Sequence, residues 1–226
     1  MSDLDDLQAL LEAGGVESPL RERIARYGAL LLEANQRFNL TGAKSAAELA
    51  PHLLDSLTIA PYIRESLVDI GSGGGLPAIP LALATGVPVT MVETTVKKAR
   101  FLEEMLAAFD LRGEVVAERA EIAAHDERLR GAFMTGTARA VSRASTVAEL
   151  LLPFLAVGGV AVMQRGTIEA RERNALADAA LVLGGEVERE ELLEGERRII
   201  FVRKLAPTQL RFPRRVGIPE KRPLCS

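Results

Sequence analysis

Over the first 65 residues apolar positions recur at helical spacing. Leu20, Ile24, Tyr27, Leu31, Ala34 and Phe38 advance by 4, 3, 4, 3 and 4, one face of an amphipathic helix. Asn39-Leu-Thr-Gly interrupts that face, and Leu49, Leu53 and Leu57 mark a second helical stripe. From residue 67 the texture changes to short apolar runs separated by helical patterns. Leu67–Ile70, Pro88–Val92, Glu114–Ala117 and Val160–Met163 read as strands, and 133–141 as another that Gly136 weakens. Strands alternating with helices mean βαβ units and a parallel sheet covered on both faces. Glu186–Leu193, a Glu194-Gly195 turn and Arg197–Lys204 read as a hairpin, so the sheet is expected to end in an antiparallel pair. Beyond it Pro207, Pro213, Pro219 and Pro223 oppose regular structure and predict an extended tail.

This divides the chain into a helical cap (1–65), an α/β core (66–205) and a tail (206–226). The length of 226 residues suits one such core with a helical extension, and 48 % hydrophobic with 26 % charged residues excludes a disordered or fibrous chain. The longest uncharged stretch, 150–163, contains Pro153 and Gly158-Gly159 and is too short to span a membrane, so no membrane partner is expected. The acidic start and the single Cys225 point to a cytoplasmic protein without disulfides. With only His52 and His125, the usual Cys/His zinc site is excluded and no metal is expected.

The net charge of −3 conceals an asymmetry. Residues 1–33 carry seven acids against three arginines, whereas residues 203–222 carry seven bases against Glu220 alone. A basic end on an acidic protein is a candidate contact for nucleic-acid phosphates.

The most informative segment is Asp69-Ile-Gly71-Ser-Gly73-Gly74-Gly75-Leu76-Pro77, which follows a strand and opens a helix. Glycines here permit a tight turn and close approach of a ligand to the backbone. The third glycine of the dinucleotide fingerprint is replaced by Leu76, and the Gly-Lys-Ser/Thr ending of a phosphate-binding loop is absent. The next strand ends at Glu93, an acceptor for ribose hydroxyls. This combination suits a nucleoside cofactor without a pyrophosphate, such as S-adenosylmethionine; a structural turn or another nucleotide is the alternative. Arg139, between two alanines at a strand end, must face a cleft or pair with a carboxylate. For Arg119 a ligand contact and a surface ion pair are equally open. His52, Asp55 and Ser56 mimic a hydrolase triad within one helical turn, but nothing supplies an oxyanion hole, so a polar helix face is the plainer reading. The run Lys97-Lys98-Ala-Arg100 reads as a solvated helix face.

From about residue 20 to the end the chain resembles the RsmG (GidB) methyltransferases. The resemblance is carried by Arg37-Phe-Asn-Leu-Thr41, His52-Leu-Leu-Asp-Ser56, the segment 69–80 and Lys97-Lys-Ala-Arg-Phe-Leu102. Arg119-Ala-Glu121, Arg139-Ala-Val141, Gly195-Glu-Arg-Arg198 and the tail 212–224 complete it. It implies a class I S-adenosylmethionine-dependent methyltransferase, Rossmann-like, with a seven-stranded, mostly parallel sheet and an N-terminal helical cap. The implied reaction is methyl transfer to nitrogen 7 of a guanine in 16S ribosomal RNA, free or within the small ribosomal subunit, by a monomer. By the same resemblance Asp69, Gly71, Gly73, Gly75, Leu76, Glu93, Ala120, Glu121 and Arg139 would hold the cofactor. Asn39, His52, Asp55, Arg119, Arg211, Arg214, Arg215 and Lys221 would face the RNA, and no general acid or base is implied. Gly74 stands where the family commonly has proline, which should loosen the loop. Met134 replaces a frequent acid, and Gln164-Arg165-Gly166 replaces a usual Lys-Gly. The competing functions are a small-molecule methyltransferase and a non-catalytic module that binds S-adenosylmethionine and ribosomes.

Overall fold

The computed structural model describes residues 2–139 and 142–225. Three helices come first: α1 (Asp3–Ala13), α2 (Leu20–Asn35) and α3 (Ala46–Leu57). Ser2 starts α1 with a capping box, its side chain accepting from Asp5 N–H while Asp5 accepts from Ser2 N–H. Ser45 caps α3 in the same sense through Glu48 N–H. Strands and helices then alternate: β1 (Leu67–Ile70), α4 (Ala78–Thr85), β2 (Val89–Val92), α5 (Val96–Ala108), β3 (Gly113–Val116), α6 (Ala120–Ala123) and β4 (Phe133–Arg139). After these come α7 (Ala144–Leu151), β5 (Leu155–Arg165), α8 (Ala170–Val182), β6 (Gly185–Leu192), β7 (Arg198–Lys204) and α9 (Ile218–Lys221).

The strands form one seven-stranded sheet in the order β3-β2-β1-β4-β5-β7-β6, parallel except for β7, which runs antiparallel to both neighbours. Every residue of β1 and β2 is buried, as a strand covered on both faces requires. Alternation sorts the side chains between the layers. Leu67, Met91, Val162 and Phe201 join the core beneath the cap and α4–α5, while Val68, Ile70, Met163 and Val202 join the core beneath α7–α8. The edge strand β6 carries Glu186, Glu188 and Glu190, charges that discourage pairing with another sheet.

The strand expected around Val160–Met163 is the centre of a longer β5 that starts at Leu155. The hairpin at 186–204 is present as β6 and β7. The strand expected over 133–141 is described to Arg139; Ala140 and Val141 lie outside the described residues.

The expectation of an extended tail is overturned. Residues 206–225 fold back over α6 and α7, and α9 forms within them. Phe212 is buried. Arg130 donates to the carbonyls of Thr208, Gln209 and Phe212 at 2.9, 3.1 and 2.9 Å, and His125 Nε2 lies 3.0 Å from the Pro213 carbonyl. Arg214 donates to both oxygens of Glu149, at 2.8 and 2.6 Å, and its main-chain N–H adds a third bond at 2.9 Å. Glu149 is fully buried, so this arginine, expected to face RNA, serves as the counter-charge of an interior carboxylate. Prolines barred long regular elements, but the tail still had main-chain groups and one aromatic to dock.

Candidate functional site

The sheet changes direction between β1 and β4, which both leave it at their carboxyl ends; such a switch point opens a crevice. A cleft of about 600 Å³ lies there. Gly71, Ser72, Gly73, Gly74 and Leu76 form one wall, and Leu40, Thr41, Gly42, His52 and Asp55 of the cap form another. Arg139, Gln164, Arg165 and Arg197 close the core side.

The turn after β1 needs its glycines. Gly71, Gly73 and Gly75 have φ of +68°, +55° and +94°, the left-handed region that side chains disfavour. At Gly75 a Cβ would also sit 2.6 Å from Ile79 Cγ1. Gly74 does not loosen this loop. Its carbonyl accepts a 2.7 Å bond from the buried Tyr27 hydroxyl, and a Cβ at this position would lie 2.8 Å from Leu31 Cδ1. Helix α2 therefore packs directly on the glycine turn, and a side chain at position 74 would have to displace the end of Leu31. Glu93 also serves the turn, its Oε2 accepting from Gly73 N–H at 2.9 Å and its Oε1 from Thr95 N–H at 2.7 Å. A carboxylate retains lone pairs beyond those two, so Glu93 can still accept from a ligand hydroxyl.

At the floor of the turn Asp69 is buried, and burial pushes its carboxyl up to about 7. The hydrogen bond from Thr137 and the charge of Arg139 oppose the shift, while Glu93 adds to it; the Ser72 hydroxyl donates to the Asp69 main-chain carbonyl at 3.0 Å. Its Oδ1 accepts from Thr137 Oγ1 at 2.7 Å, whereas Oδ2 has no partner. Gln164, opposite Arg139 in the β4–β5 register, also carries a buried oxygen without a partner. One guanidinium accompanied by two unpaired acceptors suits a zwitterion: the cation takes a carboxylate, and the acceptors take an ammonium group.

On the cap side, Asn35 at the end of α2 shapes the wall. Its Oδ1 accepts from Leu40 and Thr41 N–H at 2.8 and 3.0 Å, and its Nδ2 donates to the Ala43 carbonyl at 2.9 Å. His52 is held below its ordinary value by burial first and then by the Arg139 charge, with Asp55 opposing. It is therefore neutral at pH 7. Asp55 meets both open alternatives for Arg139 at once: Arg139 lines the cleft and lies 3.8 Å from the Asp55 carboxylate.

Of the residues expected to bind ligands, Gly71, Gly73, Leu76, Arg139, His52 and Asp55 come together in this cleft. Glu93 adjoins it through Gly73, while Gly75 and Asp69 support it from beneath. Ala120 and Glu121 do not line it. Both are buried at the start of α6, where Glu121 Oε1 accepts from the tail's Gly217 N–H at 2.9 Å. Arg119 is exposed outside the cleft. Asn39 opens instead on a neighbouring depression with Asn35, Gln36 and Lys44, separated from the cleft by Leu40–Gly42. Arg211, Arg215 and Lys221 are exposed on the folded tail, Arg211 resting 5.0 Å from the Phe212 ring centre. Lys97 and Arg100 are exposed, with Lys97 Nζ 5.7 Å from the Phe38 ring. Arg197 and Asn35 were not singled out from the sequence, and Gln164 was marked only as a departure from the family's usual Lys-Gly. The motif Gly195-Glu-Arg-Arg198 contained the signal for Arg197, but nothing local marks Asn35 or the pairing of Gln164 with the cap.

Among the described residues no helix is long and apolar enough to cross a membrane, and no group of three or more His, Cys, Asp or Glu is placed to hold a metal ion.

The comparisons with known proteins agree with this geometry. A ribosomal RNA small subunit methyltransferase G of Chloroflexus aggregans is 40 % identical over 209 residues, covering 88 % of each chain. Among solved structures, the ribosomal protein L11 methylase of Lactobacillus delbrueckii superposes with a TM-score of 0.54 at 13 % identity, over 70 % of this chain and 80 % of that one. M. jannaschii TYW2 in complex with AdoMet gives 0.50 at 17 % identity, over 67 % and 73 %. These two show the fold alone, the Rossmann-like sheet of the class I methyltransferases. The family model for GidB, rRNA small subunit methyltransferase G, matches residues 20–201, and this chain belongs to that family of ribosomal RNA methyltransferases.

Proposed function

We propose that the protein uses S-adenosylmethionine to methylate nitrogen 7 of a guanine in 16S ribosomal RNA, acting in the cytoplasm. The observation that carries the cofactor is the left-handed glycine turn facing Arg139 across the cleft, with Gln164 beside Arg139 in the β4–β5 register and the buried Asp69 carboxyl beneath the turn. These residues fit the amino-acid end of the cofactor, Arg139 toward its carboxylate and Asp69 toward its ammonium group. Glu93, at the end of β2, would accept from the ribose, and the N-terminus of α6 with Ala120 and Glu121 would flank the adenine. When bound, the cofactor supplies an electrophilic methyl group on a positively charged sulfur.

Nitrogen 7 of guanine presents a lone pair and carries no proton, so its methylation needs no general base. The cleft is consistent with that chemistry. His52 is neutral but adjoins Arg139, and the Asp55 carboxylate faces Arg139 and Arg197. The task left to the residues is alignment of nitrogen, methyl and sulfur with exclusion of water. Positive charge develops on the purine as it leaves the sulfur, so arginines are better placed on carboxylate and phosphate than on the ring. Nitrogen 7 is hidden in the deep major groove of an RNA helix, which places the target in a loop or junction. Extruding the base costs a few kcal/mol, which phosphate contacts from Arg197, Arg119, Arg215 and Lys221 would offset.

The test is transfer of labelled methyl from S-adenosylmethionine to undermodified small subunits, followed by nucleoside mass spectrometry. The expected product is 7-methylguanosine, abolished in Glu93→Ala and Arg139→Ala proteins whose thermal unfolding is unchanged. Cofactor binding without transfer to subunits or to free RNA would refute the RNA assignment.

A further inference from the structure

On the cap side of the cleft one carboxylate serves two cations, one at the end of β4 and one just before β7. Asp55 Oδ1 accepts from Arg197 Nη1 at 2.7 Å, while Oδ2 lies 3.8 Å from Arg139 Nη1. The first contact is a charge-assisted hydrogen bond; the second is an ion pair too long to be one. Arg139 also approaches the His52 carbonyl only at 3.5 Å. Charge therefore keeps Arg139 at the cleft without committing its donors to close partners. The main chain beneath is pinned separately, because Gln164 Nε2 donates to the Asp55 carbonyl at 2.7 Å and lies 3.4 Å from Thr58 Oγ1. The Asp55 main chain is thus held by β5 while its carboxylate faces Arg139 at the end of β4 and Arg197 just before β7. Its side chain is 16 % exposed, against 19 % for Arg139 and 46 % for Arg197.

Two guanidinium groups lining one cleft repel each other, and the Asp55 carboxylate between them offsets part of that repulsion. We propose that Asp55 is a positioning residue, the shared counter-ion of Arg139 and Arg197, and not a contact to RNA. It keeps Arg139 facing the cleft until an anionic group of the ligand displaces it, and it orders Arg197 at the mouth for the RNA backbone. An aspartate offered directly to phosphates would repel them. This assignment rests on the reading that Arg139 receives the cofactor's carboxylate.

Opposite effects on the two ligands follow. A ligand carboxylate competes with Asp55 for Arg139, so neutralising Asp55 strengthens the attraction. In the same variant the 2.7 Å bond to Arg197 loses its charge assistance, so Arg197 is held less firmly when it meets RNA. Asp55→Asn preserves the shape and the main-chain bond to Gln164. It is expected to bind S-adenosylhomocysteine about five-fold more tightly, the scale of one partly exposed ion pair. Its affinity for 5′-methylthioadenosine, which lacks the amino-acid end, should not change. In transfer assays its KM for undermodified subunits should rise while kcat holds, and Asp55→Glu, which keeps the charge, should stay near the wild type.

Calorimetry with the two nucleosides and steady-state kinetics on the full chain test this. Weaker binding of both nucleosides by Asp55→Asn would show that the contact only fastens the cap to the core and would overturn the proposal, as would no change in either. Arg139→Ala separates the two levels. If it leaves S-adenosylhomocysteine affinity intact, the reading of Arg139 fails and the Asp55 assignment falls with it. If it weakens that affinity while Asp55→Asn binds as the wild type, Arg139 stands and only the role of Asp55 is lost.

Discussion

At the scale of single residues, the site depends on groups held in states that an isolated chain would not choose. Asp69 ionises near 3.8 in the unfolded chain and about 7 in the fold, where burial dominates. Between those values the folded state binds the extra proton, so this residue's contribution to stability falls as pH rises from about 4 to about 7 and is flat above. Thermal unfolding followed across that window should show a loss in the wild type that Asp69→Asn lacks. A cationic ligand group favours the ionised carboxyl, so affinity for S-adenosylhomocysteine should rise with pH through about 7, and Asp69→Asn should flatten that profile. Gly75→Ala places a side chain at φ +94° against Ile79, and we expect a loss of at least about 1–3 kcal/mol of stability, with cofactor affinity reduced alongside, read by denaturant melts and calorimetry. Glycines 71, 73 and 75 were legible in the sequence because backbone conformation is encoded by residue type. The protonation of Asp69 was not, since it depends on how many other side chains bury the carboxyl.

At the scale of elements, the tail changes its meaning most. Its bases suggested a free arm for RNA, yet Arg214 neutralises the buried Glu149, and Gly217 N–H is accepted by Glu121 beside the expected adenine site. Arg214→Ala strands an interior carboxylate and should cost about 3 kcal/mol, measurable as a lower Tm. Arg215→Ala, whose side chain is exposed, should leave Tm unchanged. Removal of residues 206–226 is therefore a test of folding before it is a test of RNA binding. Nothing in the local pattern announced this: Arg214 and Glu149 are 65 positions apart, and only the return of the chain over α7 joins them. By contrast, β1, β2 and the β6–β7 hairpin were readable, because strand period and turn residues are properties of short segments. Asn35 falls between these cases. Its helix was evident, but its three bonds to residues 40–43 depend on the path the chain takes after the helix ends.

At the scale of the whole molecule, an acidic protein presents arginines around one crevice. Arg139, Arg165, Arg197 and Arg198 all line it, brought there by β4, β5 and the antiparallel β7. Binding to undermodified subunits should weaken steeply between about 50 and 200 mM salt, while S-adenosylhomocysteine affinity should respond far less; filter binding and calorimetry in the same buffers would compare them. A small-molecule methyltransferase would lack the first dependence. The sequence by itself determined the alternating α/β order, the glycine turn, the acidic residue closing β2 and the family, because each is written in residue type and short spacing. Tertiary structure alone decided that Tyr27 of the cap seals Gly74, that Asp55 stands between Arg139 and Arg197, and that the basic tail is anchored on the core. Those contacts join residues 47 to 142 positions apart. Their partners are selected by the sheet order and by the packing of cap on core, and no local pattern of polar and apolar residues specifies that arrangement.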